Sequence, residues 1–156
     1  MLDSLRTIVQ QVNAAKDFSE VLRLIVHLVK QTMDTGMCSV YLYNPKDDNY
    51  ALMATDGLNP DSVGKVFLSS KEGLVGLVAS RAEPINLEEA DAHPNFSFVP
   101  ETGEQRFRSF LGAPIIHQRK VRGVLVVQEQ EQRRFDESEE SFLVTVSAQL
   151  AGVIAH

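Results

Sequence analysis

A chain of 156 residues with 44% hydrophobic content has enough apolar material for one substantial core, and a single domain spanning residues 1–156 is expected. The formal net charge of −6 argues against general affinity for nucleic acid or an anionic membrane, since both need an excess of lysine and arginine. The lone cysteine, Cys38, rules out an internal disulfide and a cysteine-built metal site; with no apolar run near the roughly 20 residues that span a bilayer, and no basic-then-apolar leader after Met1, a cytoplasmic location is expected.

The first helix is predicted from Leu5, Ile8, Val9 and Val12, a narrow apolar stripe behind an Asp3 or Ser4 cap. A second starts at Asp17, with Glu20 three positions on, the arrangement in which a cap carboxylate and a glutamate satisfy the first free amides. Phe18, Val21, Leu22, Ile25, Leu28, Val29 and Met33 give it a wider apolar face, and Gly36 is expected to end it. The wide face should lie on a sheet. The thin first helix and part of the last helix then need other partners, and a homodimer through the terminal helices is expected.

From Met37 the period changes to two, with Cys38, Val40 and Leu42 facing one way and Ser39, Tyr41 and Tyr43 the other. A turn at 44–49 leads into a second strand over 50–56, and a short strand is read at 65–69. Residues 73–82 form a helix with Leu74, Leu77 and Val78 on one side, and 84–87 a brief strand. The long irregular stretch 88–104 is anchored by Phe96, Phe98, Val99 and Phe107, which favours an ordered lid. Two aliphatic strands, 109–116 and 121–128, are joined by a turn of about four residues, HQRK. Asp136 and Glu139 repeat the capping pattern before Phe142, Leu143, Val146, Leu150 and Val153 at helical spacing. The order implies an α+β domain: an antiparallel sheet of about six strands, with the terminal helices on one face and a covered pocket on the other.

Several segments carry a family resemblance. The run KEGLVGLVASRAEPINLEEADAHPNF (71–96), SFLGAPIIHQRKVRGVLVV and RRFDESEESFLVTVSAQLA resemble the landmarks of GAF domains. More narrowly, MDTGMCSVYLYN, ALMATDGL, GLVGLVASRAEPINL, RFRSFLGAPII and FDESEESFLVT resemble the N-terminal sensory domains of the nitrogen-related phosphotransferase system enzyme I family, which are bacterial phosphoenolpyruvate-protein phosphotransferases. The resemblance implies the GAF fold and a regulatory module that tunes autophosphorylation of a downstream kinase body in response to nitrogen metabolites, glutamine or 2-oxoglutarate. That family's phosphorylated histidine lies in a Gly-rich Ser-His-x-Ala segment, and His27, His93, His117 and His156 have no such setting. The chain is therefore expected to be a domain of a larger kinase, not itself catalytic, with no cofactor; Mg2+ is expected only for the catalytic body.

Gly73 and Gly76 lack the spacing of a nucleotide loop and are read as letting a helix pack close to the sheet. Cys38 reads as a buried thiol, and His93 with Asp91 and Glu89 as a solvated loop. Glu129, Glu131, Glu137, Glu139 and Glu140 read as a solvated acidic end. The expected pocket walls are Met53, Phe67, Leu74, Val75, Ile85, Phe96, Phe98 and Leu111, with Asn86, Asp91 and Ser109 as polar members. Arg108, or Arg106, is the expected anchor for a carboxylate, and Glu101 or Glu104 the competing surface partner. The alternatives are a dimerisation module with no ligand, a cyclic-nucleotide-binding domain, or a methionine sulfoxide reductase, for which Cys38 has no resolving thiol.

Overall fold

The computed structural model describes residues 2–15, 17–97 and 107–154. Its elements are α1 (Leu2–Ala14), α2 (Phe18–Met33), β1 (Met37–Asn44), β2 (Asn49–Asp56), β3 (Phe67–Ser69), α3 (Gly73–Arg81), β4 (Ile85–Leu87), β5 (Ser109–His117), β6 (Lys120–Glu129) and α4 (Glu137–Ile154), with 3-10 turns at Pro60–Ser62 and Ala90–Ala92. The strands form one antiparallel sheet in the order β3-β2-β1-β6-β5-β4. Among the described residues no helix is long and apolar enough to cross a membrane.

The sheet separates two cores. On one face Cys38, Val40, Ala113, Ile115, Leu125 and Val127 meet Leu22, Ile25 and Val29 of α2 and Leu143, Val146 and Leu150 of α4. The stripe of α1 closes over this core through Ile8, with Leu5 and Val12 partly buried against it. The other face carries a second core under α3 and the chain around β3 and β4.

Both aspartates cap as read, and Glu139 completes its pair. Asp17 accepts the Glu20 amide at 2.7 Å; Asp136 accepts the Glu139 amide at 2.8 Å while Glu139 accepts the Asp136 amide at 3.0 Å. The end of α2 differs from expectation: Asp34, not Gly36, is the left-handed cap, at φ 52°, and its amide reaches back to Gln31 O and Lys30 O. Aspartate tolerates that region because its short polar side chain bonds locally. The β5–β6 turn is shorter than the four residues expected. Gln118 and Arg119, at φ 51° and 65°, make a two-residue turn closed by the His117 and Lys120 pair, the backbone that matches strand twist.

Lys65 and Val66 belong to the turn before β3, where their amides bond Ser62 O. In β2 the register passes from Val40↔Ala54 to Tyr41↔Leu52, so Met53 is the extra residue of a bulge. The bulge reverses the alternation: Tyr50 and Leu52 enter the second core, Ala54 the first.

Candidate functional site

The face opposite the terminal helices is the candidate site. Its floor is Tyr41 from β1, Tyr50 and Leu52 from β2, Val124 and Val126 from β6, and Phe110 from β5. Leu74, Val75 and Val78 of α3 lie over it, joined by Ile85, Ala90 and Phe107. Two glycines permit this closeness. A Cβ on Gly76 would stand 2.9 Å from Ser69 O, and one on Gly112 would stand 2.8 Å from the Phe110 ring and 2.9 Å from a Val78 methyl. The paired glycines read from sequence as a close-packing device are therefore that at Gly76, while Gly73 supplies the left-handed turn, at φ 74°, that opens α3.

Polar groups on this face are few. Ser39 Oγ donates to Met37 Sδ at 3.2 Å and lies 2.7 Å from Thr55 Oγ1, and Gln128 is buried beside Met37 and Phe110 in the register. Burial pushes the Tyr50 phenol up to about 12, with the neighbouring Tyr43 and Asp48 adding to the effect. Tyr43 donates to Asp48 at 2.8 Å, a bond that raises the Tyr43 phenol and lowers the Asp48 carboxyl. An apolar floor with scattered hydroxyls and an amide has the composition of small-molecule sites. The face holds no thiol: Cys38 points into the helix-side core, where burial, and then the charge of Asp56, push it far above the usual thiol range.

Leu74, Val75 and Ile85 come together here, with Phe96 partly buried against them. Asp91 is exposed on the Ala90–Ala92 turn. Arg108 is exposed as well, but its backbone is fixed, its amide bonding Glu129 O at 2.9 Å and its carbonyl accepting from Ala90 at 2.6 Å.

Other expected walls stand elsewhere. Leu111 packs in the helix-side core because β5 alternates from Ser109, which puts 109, 111 and 113 on that side. Ser109 is buried there, its hydroxyl donating to Glu131 O at 2.7 Å and accepting from the Arg133 amide at 2.7 Å. Asn86 pairs with Leu111, so it shares that face, and donates to Phe135 O at 2.8 Å. It lines a separate open cleft of about 390 Å³ with Arg134, Phe135, Asp136, Glu137 and Glu140. Met53 is lifted out by the bulge and Phe67 lies on the edge strand beside Ala51; they are 37% and 51% exposed, so neither is a wall. Phe98 and Arg106 lie outside the described residues, as do Glu101 and Glu104.

The acidic end is not wholly solvated. Glu139 is partly buried, paired with Arg133, whose guanidinium also donates to Met33 O at 3.0 Å and Asp34 O at 2.9 Å and lies 4.8 Å over the Phe135 ring. Sequence reasoning did not assign Tyr41, Tyr50, Phe110 or Gln128 to the site. The alternation of β1 and β6 carries the signal for Tyr41 and Gln128, whereas the Met53 bulge hides it for Tyr50.

The model of the GAF domain family matches residues 17–154. Over 155 residues the chain is 49% identical to the "Phosphoenolpyruvate-dependent phosphotransferase system" protein of Escherichia coli (strain K12), covering 99% of this chain and 21% of that protein. The chain thus spans about a fifth of the length of the curated relatives it matches. The GAF domain from a Coxiella burnetii phosphoenolpyruvate-protein phosphotransferase superposes with a TM-score of 0.96 at 44% identity, covering 99% of this chain and 92% of that one. The corresponding domain from Acinetobacter gives 0.91 at 48% identity, with 99% and 92% covered. With these relatives and the two-core sheet just described, the chain belongs to the GAF domain family.

Proposed function

We propose that the chain is a regulatory GAF module that binds a small metabolite and modulates the autophosphorylation of a phosphoenolpyruvate-protein phosphotransferase, with glutamine or 2-oxoglutarate as the first candidates. The observation that carries this reading is the second core: a sheet face roofed by α3 and the Ala90–Ala92 turn, largely apolar among the described residues, with Ser39, Thr55, Gln128 and tyrosine hydroxyls among its polar groups. Such a face is poor in catalytic chemistry and suited to holding a ligand. The two GAF relatives from phosphoenolpyruvate-protein phosphotransferases supply the regulated partner. A sulfoxide reductase reading has no reachable thiolate to work with, since Cys38 is buried on the wrong face.

Calorimetric titration of the chain with glutamine, 2-oxoglutarate and cyclic nucleotides tests the proposal. Saturable binding of a nitrogen metabolite supports it. Binding of a cyclic nucleotide alone transfers the site to the other ligand class, and absence of heat with all of them removes the sensing role. A second reading, a dimerisation module, is favoured by Leu2, Val9, Phe18 and Val144, exposed on α1, α2 and α4.

A further inference from the structure

The segment 85–90 is shared between two neighbourhoods. Ile85 and Ala90 are buried in the candidate site, with Leu87 packed against it, whereas Asn86, Glu88 and Glu89 turn to the connection between β6 and α4. Asn86 bonds Phe135 O at 2.8 Å, and the Gln132 side chain donates through Nε2 to Glu88 at 3.0 Å and Glu89 at 3.2 Å. The same connection is held by Ser109 at Glu131 O and at the Arg133 amide. Its far end starts α4 through the Asp136–Glu139 cap, and Arg133 ties it to the last carbonyls of α2.

We infer that residues 129–135 form a strap that couples the cover of the candidate site to α4 and to the end of α2. Displacement of Ile85 or Ala90 carries Asn86, Glu88 and Glu89 with it, and hydrogen bonds, being directional, pass that movement to 132 and 135. The strap then shifts the cap on which the first turn of α4 depends. Two features allow a second arrangement. Asn86 Oδ1 is buried and has no hydrogen-bond partner among the described residues, so another placement has a bond to gain. The cleft beside Asn86, bounded by Arg134 and Phe135, gives the strap room to move. The inference rests on the sensing proposal for its purpose, but the coupling itself needs no ligand.

Amide exchange read by mass spectrometry on the unliganded chain tests it. Gln132 is exposed, so Gln132→Ala removes its bonds to Glu88 and Glu89, leaving Asn86 on Phe135 O, and weakens the tie between strap and cover without opening a core. Exchange is expected to rise about threefold or more both at Ala90 and Ala92 and at Glu139 and Glu140. Glu139→Gln, made at the other end, should raise exchange at Ala90 and Ala92 in return, because coupling is reciprocal. Changes confined to the end that was altered, or no change at all, overturn the strap. If Glu139→Gln fails to fold, Gln132→Ala decides alone. Since no metabolite is present, a failure here is distinct from a failure to bind in the calorimeter.

Discussion

Arg108 combines a fixed backbone with an exposed side chain, which is the disposition of a residue that can be removed without disturbing the core. If the ligand is a carboxylate, a charge-assisted bond of roughly 1.5–3 kcal/mol is at stake, so Arg108→Ala should weaken binding about ten- to a hundredfold with little change in melting temperature. Unchanged affinity for a demonstrated carboxylate ligand eliminates it as the anchor. Tyr50 gives a test of the site's interior. Its phenol is raised from 10.0 to about 12 by burial, so its contribution to stability is fully present below pH 10 and is lost as pH climbs toward 12. Thermal melts across that window should fall less steeply for Tyr50→Phe than for the parent chain, and parallel slopes contradict the assignment. The burial of Cys38 was legible from its alternation with Val40 and Leu42. The role of Ser109 was not, because a hydroxyl that bridges Glu131 O and the Arg133 amide serves a connection more than twenty residues downstream.

At the scale of elements, closeness between layers rests on missing side chains. Gly112→Ala would push a methyl into Phe110 and Val78 in a buried site, at a cost of roughly 1–3 kcal/mol. Urea unfolding checks this, and a variant as stable as the parent shows that the two side chains can yield. Helix starts were legible because Asp17 with Glu20 and Asp136 with Glu139 are local chemistry. Strand faces were legible only where alternation ran unbroken. Leu111, Ser109 and Asn86 were assigned to the pocket because the phase of β5 against β4 is settled by pairing rather than by local pattern. Met53 was misplaced for the same reason, its bulge existing only in relation to β1.

For the molecule as a whole, the change from helical to twofold periodicity at Met37 and back at Asp136 made the two-layer architecture legible, while the identity of a ligand leaves no such trace. Leu2 at 82% exposure, with Val9, Phe18 and Val144, leaves apolar area on the helix layer that a second copy would cover. Light scattering should therefore report a dimer at high micromolar concentration, and a monomer there counts against it. The strand order has a further consequence, in time rather than in space. Strands β1 to β3 and strands β4 to β6 each pair among sequence neighbours, and among the described strands only β1 against β6 joins the halves, bringing Met37 to Gln128. That seam closes a loop of about ninety residues, whose entropy must be lost before the contacts repay it, so the hairpins should form early and the seam late. Gly123 lies in it, where a Cβ would stand 2.6 Å from Tyr41 O. Stopped-flow refolding of Gly123→Ala should thus be slowed, whereas an unchanged refolding rate with faster unfolding would place the closure after the barrier.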